Sequence, residues 1–159
     1  MRRLASVLAC AALLSLFAPV STLAEDVSIP GHAVLARASG EALVIWDATP
    51  LIASVVQGKL SDADANSLVA HDALRILARM QPNVDKSAKS ITVRVIYNKT
   101  GEVSPVYGAA TFAGVERYAT LTAPAAALRT DKSKWKELDD KTALPAWLVF
   151  TVIGKLPPR

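Results

Sequence analysis

The sequence predicts an α+β fold, a small antiparallel or mixed sheet packed against one long helix and two short helices. Three observations predict it. Apolar residues recur at three-and-four spacing between Ala65 and Met80, and period-two alternation runs from Ile91 to Asn98. Strand-like segments also cluster late, with helices before and between them, unlike the strict alternation of a doubly wound sheet.

Taken in order, Ala33 to Ala38 reads either as a strand turning at Ser39 and Gly40 or as a short helix starting near Pro30 and ending at Gly40. Leu43, Val44, Ile45 and Trp46 form a short strand. Thr49 then suits an N-cap, Pro50 the first helical position, and Gly58 the residue past the end, so Pro50 to Gln57 is a short helix. Ser61 with Asp64 makes a capping-box-like start for the long helix, which Pro82 ends. Ala65, Leu68, Val69, Ala73, Ile76, Leu77 and Met80 share its apolar face, which leaves His71 on the polar one. Asp72 and Arg75 stand within i, i+3 reach.

Ile91, Val93, Val95 and Tyr97 give the buried face of a strand that turns at Asn98 to Gly101. A second strand is expected over Val103 to Tyr107, where Pro105 indicates an edge or bulge, and a third over Phe112 to Thr122. A helical turn follows Pro124, and Thr130 or Asp131 caps a charged helix with Trp135 and Leu138 on one face. The run Ala146 to Ile153 is nearly all apolar and reads as a central strand covered on both faces.

The chain has 159 residues, 52% hydrophobic and 20% charged, with one Cys, two His and a formal charge of +4. That is a globular composition, neither disordered nor a disulfide scaffold. Part of it belongs to an export signal: Arg2 and Arg3 precede an apolar run from Leu4 to Ala18, followed by Pro19 and small residues ending at Ala24. The run is short for a spanning helix, and cleavage after Ala24 is expected. Residues 1–24 are then a signal peptide and 25–159 a single globular α+β domain, periplasmic or secreted, with no stable membrane insertion. Losing Arg2 and Arg3 from 18 basic residues leaves 16 against 14 acidic ones, an interspersed surplus that gives no footprint for nucleic acid. Cys10 departs with the signal, and thiol catalysis and thiolate metal sites depart with it. A Cys-free exported domain suits a bacterial periplasm.

Few motifs carry chemistry. Asp62, Asp64 and Asn66 imitate a calcium loop, but Ser67 replaces its glycine and Ala73 its bidentate acid, so a helix cap is the better reading. His32 and His71 lack a second ligand at helical spacing and read as solvated, and no nucleophile elbow or phosphate loop occurs. No metal or cofactor is expected. The candidate binding residues are Asp47, Tyr107, Phe112, Glu116, Arg117 and Tyr118. Asp47 ends a strand just before a helix, where crevices form in mixed sheets. Tyr107 and Phe112 flank small residues that permit close approach. Alternation puts Arg117 on the apolar face with Val115, Ala119 and Leu121, where it needs a carboxylate such as Glu116 or Asp47, or an anionic ligand.

The expected function is that of an exported, non-catalytic accessory or binding protein. It would engage a peptide, a cell-envelope protein or a small anion through an edge near Pro105 or the Tyr107 to Tyr118 region. The alternatives are a small exported hydrolase with Asp47, Glu116 or His71 as base, and a structural envelope component.

Overall fold

The computed structural model describes residues 32–38, 41–99, 114–130 and 132–158. Its architecture is α+β: a five-stranded mixed sheet with one long helix and several short ones. The strands are β1 (His32–Ala38), β2 (Glu41–Asp47), β3 (Ser90–Asn98), β4 (Val115–Pro124) and β5 (Val149–Val152), hydrogen-bonded in that spatial order. All neighbours are antiparallel except β2 and β3. Parallel strands need a crossover, supplied here by helices α1 (Thr49–Gln57) and α2 (Asp62–Met80). Helices α3 (Ala125–Thr130) and α4 (Lys132–Lys136) join β4 to β5. The ambiguous first segment is therefore a strand. The segments expected from 100 to 113, including the strand at Val103 to Tyr107, lie outside the described residues, as does the export signal.

The core lies between the sheet and α2. Val44, Trp46, Ile91, Val93, Val95, Leu121 and Ala123 present one sheet face, and Val69, Ala73, Leu74, Ile76 and Leu77 pack on it. Each fully buried Leu or Ile contributes about 1.5–3 kcal/mol. The second half of α2 is buried almost all round, because α4 and the segment after it cover the side turned away from the sheet. His71 is consequently buried, 3% exposed, rather than on a polar face.

Helix boundaries follow local chemistry with two revisions, both in α1. Ser61 caps α2 as its spacing predicts: its Oγ accepts from Asp64 N–H at 3.1 Å and donates to the Asp64 carboxylate at 2.6 Å. α1 starts one residue early, with Thr49 inside the helix and Ala48 at the N-cap. At its far end Gly58 keeps right-handed geometry, and Lys59 takes the left-handed conformation at φ 52°. Lys59 N–H bonds to Val56 O and Leu60 N–H to Val55 O, both at 3.2 Å, which makes a Schellman ending displaced one residue past the glycine.

Two sheet features depart from simple alternation. Between Val95 and Ile96 the register against β4 shifts, so Tyr118 and Ala119 are both buried. Ile96 consequently pairs with Arg117, and directly opposed residues share a face. Arg117 thus leaves the core side and is exposed. The second departure is β5. Among the described residues the apolar run at Ala146 to Ile153 forms a four-residue strand at the edge of the sheet, where a central one was expected. Past it, Ile153 and Gly154 both donate to Tyr118 O, at 2.8 and 2.9 Å. Gly154 is required there, since a Cβ would stand 2.2 Å from Arg117 O.

Candidate functional site

Of the expected site residues, those that are described enter separate contacts. Asp47 is 1% exposed, and its Oδ1 accepts from both the backbone N–H and the hydroxyl of Thr49. The Thr49 hydroxyl oxygen in turn accepts from Asn98 N–H at 2.8 Å. Asp47 therefore ties the ends of β2 and β3 to the first turn of α1, the turn-closing role that Asp and Asn side chains commonly fill. Glu116 pairs with Lys99 at 2.6 Å rather than with Arg117, and that contact raises the Lys99 ammonium above its ordinary value. Tyr118 is buried, donates to Asn66 Oδ1 and meets Tyr97 edge-on at 6.4 Å between centroids. Burial raises the Tyr118 phenol, helped by Asp62 and Tyr97. Tyr107 and Phe112 lie outside the described residues.

Polar groups concentrate instead where α2 meets the segment after α4. Arg75 donates through Nε to Leu138 O at 2.8 Å, and its Nη groups reach Leu138 O, Asp72 and Asp140. One guanidinium thus serves two carboxylates and a carbonyl, a geometry that lysine lacks. Burial pushes the Asp72 carboxyl above its ordinary value even though Arg75 pulls it down. Burial also works against the Arg75 charge, but hydrogen bonds to Asp140 and Asp72 outweigh it and raise the group. One turn back, His71 places Nδ1 2.7 Å from Ser67 O and Nε2 2.8 Å from Thr142 O. An open hollow of about 390 Å³ adjoins this cluster, lined by Lys134, Glu137, Leu138, Asp139 and Thr142.

Sequence reasoning found the Asp72–Arg75 pair and missed the rest. Thr142 lies 71 residues from His71, and Asp140 65 from Arg75, so no local spacing announces either contact. The cluster binds itself: each Arg75 nitrogen and both His71 nitrogens face protein acceptors. Among the described residues no group of three or more His, Cys, Asp and Glu is placed to hold a metal ion. No described helix is long and apolar enough to cross a membrane.

The second distinctive region is apolar. Among the described residues the exposed large hydrophobic side chains are Val149 at 60%, Val152 at 42% and Ile153 at 57%. All three stand on β5 or directly after it, at the sheet edge. From Leu148 to Ile153 there is no charge and no proline, the usual devices that blunt an edge. Neither known protein families, nor curated proteins, nor solved structures give a match to this chain.

Proposed function

We propose that the chain is an exported, non-catalytic binding protein that takes an extended segment of a protein partner along the outer edge of β5. The observation that carries this reading is the gathering of exposed large apolar side chains at Val149, Val152 and Ile153 on an unblunted edge. An added strand would bond to the β5 main chain, with its alternate side chains meeting Val149 on one face and Val152 on the other. Four strand residues offer far less than the roughly 1,600 Å² of a typical stable interface, which favours a linear segment over a second folded copy. Export rests on the pattern of residues 1–24. The hydrolase alternative is disfavoured because Asp47, Glu116 and His71 lie in three separate networks.

A photo-crosslinking residue at Thr151 of the full exported chain tests this, with Ser87, exposed in an unrelated turn, as control. A discrete adduct with another protein at 151, absent at 87 and lost when Val149 and Ile153 are both replaced by Lys, is the expected result. No adduct at 151, an adduct only with a second copy, or one indifferent to the lysines overturns it.

A further inference from the structure

We propose that His71 is a proton-operated clasp: the ring carries both of its protons and uses them to hold the turn at Asp139–Thr142 against α2. This stands independently of the docking reading. The closest partner of each ring nitrogen is a carbonyl oxygen, at 2.7 Å from Nδ1 and 2.8 Å from Nε2. A carbonyl oxygen only accepts, and a neutral imidazole has one N–H. With one proton removed, a nitrogen lone pair would face an oxygen lone pair at hydrogen-bond distance inside a buried site, and loss of the Nε2 proton in particular would break the bond to Thr142 O.

Charged groups flank the ring on α2 and on the segment packed against it. On α2 it neighbours Asp72 and Arg75, and Asp72 interacts electrostatically with His71. From the facing turn come Asp139, Asp140 and Lys141, and from α4 and the residue after it Lys134, Lys136 and Glu137. Within the inner cluster two carboxylates, Asp72 and Asp140, meet the single cation of Arg75, so a ring carrying both protons would balance the charge. The Ser67 hydroxyl, 3.5 Å from Nδ1, is a donor that could turn toward a neutral ring. It sets how far the clasp opens when the proton leaves.

The segment under the clasp leads into the rest of the C-terminal region. Beyond Thr142 the chain reaches Trp147, which packs edge-on against Trp135 at 5.4 Å, and then β5. Release of Thr142 O would loosen the start of that path while the sheet stays paired.

Nitrogen-15 spectra of the full chain across pH 5 to 8 test the proposal. The expected result is a His71 ring protonated at both nitrogens at the acid end, with the amides of Asp139–Leu144 shifting at the same midpoint as the ring. Their hydrogen exchange should be at least tenfold faster once the ring is neutral. Ser67→Ala keeps the ring and should enlarge that response, and Asp72→Asn should preserve it, which separates the imidazole from the buried carboxyl. A singly protonated ring wherever the chain is folded overturns the clasp. So does a ring that titrates while the turn amides stay still, or a response that disappears in Asp72→Asn.

Discussion

The α2 cluster buries charge, and the β5 edge exposes hydrocarbon. At the cluster Arg75, Asp72 and His71 are withdrawn from water, and their polar atoms meet acceptors or counter-charges inside the protein. At the edge Val149, Val152 and Ile153 are exposed, and among the described residues no strand pairs with the outer side of β5. The contrast separates two uses of polarity. Buried charges that satisfy one another specify how the C-terminal segment packs on α2, whereas the exposed edge has no partner among the described residues and is the better candidate for contact with another molecule. A polar cluster need not be an active site.

The largest expected effect tests the first half of that contrast. Arg75→Met keeps much of the stem but leaves Asp72 part-buried without its cation and Leu138 O without donors, so unfolding free energy should fall by about 3 kcal/mol in urea titrations. Asp72→Asn should cost less, since an amide oxygen can still accept from Arg75. Its pH dependence has a definite sign. Because the folded Asp72 carboxyl is raised above 3.8, wild type gains stability relative to Asp72→Asn as pH falls through the raised value toward 3.8. Equal losses for Arg75→Met and Asp72→Asn at pH 7 would show that the cluster works as a carboxylate site rather than as a network centred on Arg75.

Asp47 extends the same logic to the other end of the sheet. Asp47→Ala removes the acceptor for Thr49 N–H and Oγ–H and should cost about 1–2 kcal/mol in thermal or urea unfolding. Asp47→Asn should retain most of that stability, because the amide oxygen fills the same place. Loss of partner crosslinking at Thr151 in a well-folded Asp47→Asn chain would tie Asp47 to binding after all.

Much of the fold was legible because much of it is decided locally. Ser61 and Asp64 cap α2 with atoms three residues apart, and β3 buries Ile91, Val93, Val95 and Tyr97 as its alternation requires. What escaped depends on remote partners. His71 looks solvated until Thr142 is placed beside it. Arg117 changes face because of a register shift that lone-strand periodicity does not encode. The β5 run is as apolar as a central strand, and composition is silent on whether a neighbour lies beyond it. The candidate site suffered most, since both of the regions described above are tertiary.

A local term gives a scale for these effects. Lys59 holds the left-handed position of the α1 Schellman ending while Gly58, one residue earlier, does not need its freedom. A side chain in that conformation costs about 1 kcal/mol against glycine, so Lys59→Gly should raise the urea midpoint by roughly that energy without touching cluster or edge. A decrease would mean that the Lys59 side chain contributes more than its backbone conformation costs.

The smallest effect on stability is expected where the proposed effect on binding is greatest. Val149 and Ile153 already face water, so replacing either by Lys removes little buried apolar area, and the unfolding free energy should change by less than about 0.5 kcal/mol. Lysine on an open edge also opposes strand addition, because a docked segment would bring its own groups against the ammonium. The two regions therefore predict opposite signatures: a cluster substitution such as Arg75→Met lowers stability, and an edge substitution lowers association while leaving the fold intact. If Val149→Lys instead destabilises the chain by 2 kcal/mol or more, Val149 is covered by another part of the same protein, and the edge is an internal contact rather than a docking surface.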